Sequence, residues 1–299
     1  MNRMEKIFSG LKTEIEQQGL NVFGIVLYSS ENEKYINLWS ENKRRNIFSA
    51  AKTFVSIAIG ICVDEGRLTL EDSILEFFPE YKPYASSGTE KITVRNLLQM
   101  ASGKAIHRFP KDISDTDYAL LFLRESLTNE PGTVFYYSNA CSYMLGRIIE
   151  KVTGNTLCDY LIPKVFNKLG ILNPEWSTCP QGHTMGATGL ALTTEELARL
   201  GVLLMNGGSY HGQNIVSNGY IKSMTTDCIC AKELHSEYPK SMADYGYHIW
   251  VNGERNIYWA WGKQGQYCIV VPWLNLVISV TARLEPDSNA ILDTIMKLI

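Results

Sequence analysis

At 299 residues the chain suits one large domain or two closely joined ones, because single hydrophobic cores stop growing near roughly 250–300 residues. Its composition is 45% hydrophobic with 16 Tyr, 10 Phe and 6 Trp, ample for a packed core. A net charge of −3, with no stretch that joins clustered Lys/Arg to interleaved aromatics, excludes a general nucleic-acid binder; Lys43-Arg44-Arg45, the densest basic run, reads as a solvated turn.

Met4 to Gln18 reads as an amphipathic helix with Ile7, Leu11 and Ile15 at one-turn spacing, and residues 1–20 lack the apolar core of a secretory leader. Asn21–Ser29 and Lys34–Trp39 alternate as two strands of a hairpin joined at Ser30–Glu33. A short strand at Asn46–Phe48 runs into Ser49. From Ala50 to Glu65 the chain is helix-compatible and apolar on nearly every side, which predicts a buried helix. Its apolar run, Phe54 to Val63, is about half the ~20 residues that a membrane span needs, so no membrane association is expected.

Helical periods follow at Thr93–Met100, Thr116–Leu127, Ala140–Val152, Thr156–Leu169 and Thr194–Met205, the last with capping chemistry from Thr193 or Thr194 and Glu195 or Glu196. Strand signals return at Gly246–Asn252, Ile257–Trp261, Gln266–Val271 and Leu276–Thr281; Pro286 then precedes a closing helix, Asn289–Leu298. Strands at both ends and helices between them predict an α+β fold. Its two terminal strand groups join in one antiparallel sheet flanked by the terminal helices, beside a mostly helical lobe. The boundaries are 1–66 plus 240–299 for the sheet domain and 67–239 for the lobe. Ser49 lies where one passes into the other.

Seven cysteines, an odd and scattered set, suit reduced thiols and a cytoplasmic location. Cys228-Ile229-Cys230 is the one close pair, without a second pair or a nearby histidine, so no metal and no cofactor is expected. The five histidines, 107, 183, 211, 235 and 248, share no metal-ligand spacing, and none lies in a Gly-x-Ser-x-Gly context. His107, after Ser102-Gly103, reads as a loop histidine with no task, or else as one that lines the cleft. Trp250, Trp259, Trp261 and Tyr247 read as sheet packing, one or two of them available as an apolar wall for an acyl group.

Ser49 and Lys52 are three apart, a spacing that brings a serine Oγ and a lysine Nζ into hydrogen-bond reach on a helix. Ser9/Lys12 and Ser40/Lys43 share the spacing, but only Ser49 opens a helix that must be buried, where lost solvation depresses a lysine's pKa and frees its amine as a base. The plain alternative is an N-cap serine and a snorkelling lysine. Tyr137, after the Pro131-Gly132 turn, is a candidate partner whose phenol can take or relay the Ser49 proton, or else a packed tyrosine with a satisfied hydroxyl. Asn139 is placed to hold Lys52 and a substrate carbonyl.

These pieces resemble the serine hydrolases of the class C β-lactamase and penicillin-binding-protein group, nearly end to end. Phe48-Ser49-Ala50-Ala51-Lys52-Thr53 is similar to the nucleophile motif, and Gly66 to Asp72, with Pro79-Glu80, to the segment that follows it. Ile92 to Leu98 through Ser102-Gly103, and Pro131-Gly132-Thr133 through Tyr137-Ser138-Asn139 to Gly146, match the next blocks; Gly189 to Gly208 resembles the late helix and Gly-Gly turn. The resemblance implies a β-lactamase/transpeptidase-like fold, Ser49 as nucleophile and Lys52 with Tyr137 as a coupled base. The chain departs at the third motif: Trp261-Gly262-Lys263-Gln264-Gly265-Gln266 replaces Lys-Thr-Gly and is closer to nylon-oligomer hydrolases and some esterases of the group. By that alignment the backbone N–H groups of Ser49 and Lys263 form an oxyanion hole beside Gly262; the Lys263 side chain is open to two readings, toward the cleft or, as a surface lysine would, toward solvent. The expected activity is acyl-enzyme hydrolysis of a small ester, amide or peptide. The alternatives are a β-lactamase or D-Ala-D-Ala carboxypeptidase, and a non-catalytic ligand-binding module on the same fold.

Overall fold

Asn2 and Glu5 form a reciprocal cap that starts α1 (Arg3–Gln17), whose buried face is Ile7, Leu11 and Ile15. The computed structural model describes residues 2–29, 34–109, 117–231, 244–285 and 289–299; the Ser30–Glu33 connection, His235 and Pro286 lie outside them. After α1 come β1 (Val22–Ser29) and β2 (Lys34–Leu38), which pair antiparallel as expected, and a two-residue β3 (Arg45–Asn46). The helix expected over Ala50–Glu65 starts more tightly: a 3₁₀ turn at Phe48–Ala51 leads into α2 (Lys52–Asp64), buried from Lys52 to Cys62. Ser49 therefore sits inside that turn and does not cap an α-helix.

Each of the next five helices has a side-chain N-cap: Ser73 for α3 (Ile74–Phe77), Thr93 for α4 (Val94–Leu98), Asp117 for α5 (Tyr118–Arg124), Ser138 for α6 (Asn139–Thr153) and Thr156 for α7 (Leu157–Leu161). The helix expected to run from Thr156 to Leu169 changes character after α7, becoming a π turn at Ile162–Phe166, where Pro163 has no backbone N–H to donate. β4 (Glu175–Trp176) and β5 (Leu190–Leu192) then join β3 in a small sheet ordered β3-β5-β4. α8 (Thr194–Met205), a hairpin of β6 (Ser209–Tyr210) and β7 (Gln213–Asn214), and α9 (Asn218–Thr226) complete the middle of the chain.

The last strands are β8 (Ile229–Cys230), β9 (Asp244–Tyr245), β10 (Trp250–Asn252), β11 (Ile257–Gly262), β12 (Gln266–Val271) and β13 (Leu276–Ala282), followed by α10 (Ala290–Leu298). They continue the first hairpin into an antiparallel sheet ordered β2-β1-β13-β12-β11-β10-β9-β8, with Ile25 opposite Val280 where the chain's two ends meet. Every residue of β12 and β13 is buried, so these strands lose the in/out alternation of a one-faced sheet. One cause is α8, which lies on them so closely that a Cβ at Gly201 would stand 2.4 Å from Val277 Cγ1. α8 and β8, both within 67–239, thus attach to the sheet. α1 lies on β1 with α10 beside it; the 3₁₀ turn before α2 packs on β11 and β12, and α2 itself packs on α6, α7 and α9. The architecture is β-lactamase/transpeptidase-like. Among the described residues no helix is long and apolar enough to cross a membrane.

Candidate active site

The turn that carries Ser49 is set by the residues before it. Phe48 adopts φ 48°, a left-handed conformation that costs an L-residue of order 1 kcal/mol. Asn46 Oδ1 accepts the Phe48 N–H at 2.8 Å and the Gly189 N–H at 3.2 Å, fixing the bend against the residue before β5. On the other side the end of β11 closes in: a Cβ at Gly262 would lie 2.1 Å from Ile47 O, so only glycine permits this approach. Ser49 is half-buried at the head of the turn.

One turn on, Lys52 is 1% exposed. Its Nζ lies 2.8 Å from Ser49 Oγ, 2.7 Å from Asn139 Oδ1 and 2.9 Å from Ala187 O. Burial draws its pKa from 10.5 down to about 7. A neutral amine has two N–H donors and one lone pair. Asn139 Oδ1 and Ala187 O can only accept, so they take the two N–H bonds, and the lone pair is left for the Ser49 hydroxyl. The ammonium form also satisfies all three contacts. The site therefore holds either protonation state without moving an atom. This excludes the snorkelling alternative for Lys52.

Residues 137–139 are held as a unit by the strip at 106–107. His107 Nδ1 meets Tyr137 O at 2.8 Å, Ser138 Oγ donates to Ile106 O at 2.5 Å, and Asn139 N–H donates to His107 O at 2.7 Å. The Tyr137 ring stacks on Trp250 at 6.0 Å, meets Tyr245 edge-on at 6.1 Å, and has Lys52 Nζ 5.0 Å from its centroid. Ser49, Lys52, Asn139 and the Tyr137 ring are thus brought together. Gly262 abuts the serine's turn, while the Lys263 side chain is exposed at the β11–β12 turn.

Ala187 was not legible in the sequence, because a backbone carbonyl leaves no residue-type signal. The histidines take separate tasks: His183 Nδ1 pairs with Glu150 at 2.7 Å, His211 lies edge-on to Tyr210, and His248 is buried. Trp250 and Trp259 are sheet core, whereas Trp261 is half-buried. Tyr247 is buried with its hydroxyl bonded to Asp227. Among the described residues no three His, Cys, Asp or Glu side chains group as a metal site.

The Beta-lactamase family model matches residues 13–298. The 6-aminohexanoate-dimer hydrolase of Paenarthrobacter ureafaciens is 24% identical over 307 aligned positions, covering 93% of this chain and 76% of the relative. Among solved structures, a class C β-lactamase superposes with a TM-score of 0.78 at 16% identity, covering 99% of this chain and 95% of that one. A family VIII carboxylesterase gives 0.77 at 15% identity, covering 100% and 98%.

Proposed function

This chain belongs to the Beta-lactamase family and is a hydrolase, and from that premise we propose that it cleaves an ester or amide bond through an acyl-enzyme on Ser49. The observation that carries the reading is the Lys52 amine, anchored by two carbonyl acceptors with its remaining valence on Ser49 Oγ. As Oγ attacks the substrate carbonyl carbon, its proton passes to Lys52 Nζ. The oxyanion rests on the backbone N–H groups of Ser49 and Lys263, a role supported by the tight approach of Gly262 to Ile47. Tyr137, stacked beside the amine, relays the proton to the leaving oxygen or nitrogen as that bond breaks. Water then attacks the acyl carbon, loses its proton to the Lys52/Tyr137 pair, and Ser49 Oγ leaves with a proton returned.

Small esters and linear amides or peptides lead as substrates. The departure from Lys-Thr-Gly removes the lysine and hydroxyl that the β-lactam reading needs, and the names of the hydrolase and esterase relatives point the same way. β-Lactams and D-Ala-D-Ala peptides rank second. Seven unbridged cysteines favour a reducing compartment, hence the cytoplasm. The test is a panel of p-nitrophenyl esters, dipeptides and nitrocefin run on the wild type and Ser49→Ala, with a fluorophosphonate probe read by mass spectrometry. Labelling at Ser49 and turnover lost in Ser49→Ala are expected; turnover unchanged by Ser49→Ala would refute the mechanism. Nitrocefin turned over faster than the esters would reverse the substrate order.

A further inference from the structure

His248 is the buried histidine that the hydrolytic scheme leaves unused. It is 2% exposed and adopts φ 54°, a left-handed backbone that glycine would hold without strain. Its Nδ1 lies 2.9 Å from Leu98 O. A carbonyl only accepts, so Nδ1 carries the proton, and Nε2 is left as the acceptor for Ser142 Oγ at 2.9 Å. The backbone adds two more ties: His248 N–H donates to Leu98 O at 3.0 Å, and Thr53 Oγ1 donates to His248 O at 2.9 Å.

These four bonds reach the last residue of α4, the residue after Lys52 on α2, and the residue one turn beyond Asn139 on α6. The imidazole thereby joins α4 to α6, and the backbone of the same residue joins them to α2, so that His248 ties together the elements whose relative position sets the distance from Nζ to Asn139. The titratable groups facing it are Lys52 from α2 and Tyr245 from β9, the latter with rings 6.3 Å apart. Burial first, and Lys52 second, push the imidazole's pKa down to about 3, so the ring adds no positive charge beside the amine.

We propose that His248 is a positioning residue for the Lys52 base: a neutral imidazole, locked in one tautomer, that clamps α4 to α6 so that Asn139 stays against Nζ, and keeps water out of the space behind it. This rests on the reading of Lys52 as the proton acceptor for Ser49.

The test is the second-order rate of fluorophosphonate labelling at Ser49 against pH, with melting temperature recorded alongside, in wild type and His248→Gly. Glycine accepts the left-handed backbone, so the variant removes the ring alone. Labelling is expected to slow by about 100-fold, the order of loss that a displaced reacting group produces. Its acid limb should move up by about one pH unit, because water entering the vacated space favours the ammonium of Lys52. Free imidazole should restore much of the rate. Wild-type rate and wild-type pH midpoint in His248→Gly would overturn the proposal, whereas a wild type that is never labelled at Ser49 would sink the hydrolase reading instead. If His248→Gly does not fold, His248→Asn, which tolerates the same backbone, takes its place. In the wild type, a ¹⁵N spectrum should show neutral Nδ1–H imidazole at pH 5; imidazolium or the Nε2–H tautomer there would also overturn it.

Discussion

A primary amine has four tetrahedral directions, and at Lys52 the side chain, two carbonyl oxygens and Ser49 Oγ occupy all four. The reactivity of the site thus turns on whether Nζ carries two protons or three. With Lys52 held at about 7 by burial, kcat/KM for an ester should climb about tenfold per pH unit up to that point and level off above it. A profile flat from pH 5 to 8 would exclude this amine as the base. Asn139→Asp tests the same group with the opposite sign. A carboxylate in place of the amide oxygen, 2.7 Å from Nζ, favours the ammonium and raises the lysine's pKa. The acid limb should then move at least about one pH unit upward, and the rate at pH 7 should fall roughly tenfold for each pH unit that the limb travels. An unmoved limb in Asn139→Asp would show that this contact does not govern the amine. At this scale much could be read from residue types: Ser49, Lys52, Tyr137 and Asn139 each announce a side-chain chemistry. What the residue types withheld is Ala187, because the group that matters there is a carbonyl that every residue possesses.

Helix α2 and strand β11 show why the elements themselves were unevenly legible. A run apolar on all sides has one explanation, burial, so α2 could be read directly; its 3₁₀ entry depends on Phe48 and Asn46, whose bend is a tertiary matter. The strands of the small sheet have two or three residues each, too few for a period of two to show. α9 carries Asn, Gly, Ser and Thr among its nine residues and has little apolar face to betray it. The closeness of β11 to the serine's turn belongs to the same category, and it is testable. In Gly262→Ala the new Cβ would meet Ile47 O at 2.1 Å and Gln266 Cβ at 3.1 Å, neither of them the free end of a flexible chain. The strand must retreat from the turn, taking the Lys263 N–H with it. Ester turnover should drop about 100-fold, the cost of losing one oxyanion donor. Gly253→Ala is the control, since a Cβ there meets nothing within 4 Å and turnover should stay at the wild-type level. Equal activity in the two variants would detach β11 from the oxyanion site.

For the whole molecule, the relevant fact is that nearly all the buried apolar residues among those described belong to one connected cluster. Ile25 of β1, Ile57 of α2, Leu145 of α6, Leu200 of α8 and Ile278 of β13 belong to it, so the sheet and the helical lobe share a core. Pairing of β1 with β13 also makes the first and last thirds of the chain depend on each other. Neither part can lose its packing without exposing the other's, and at roughly 25 cal/mol per Å² of apolar surface such an exposure is costly. Urea unfolding should therefore be one cooperative event. Tryptophan fluorescence is weighted to the sheet by Trp250, Trp259 and Trp261, and far-UV circular dichroism is weighted to the lobe by its helices. The two signals should give the same midpoint and the same slope. A fluorophosphonate adduct on Ser49 touches the place where the two parts meet, so it should displace both curves together. Separated midpoints, or an adduct that moves only one curve, would mean that the lobe and the sheet fold as independent units, and that the geometry around Lys52 is set by a contact between two bodies rather than by a single core.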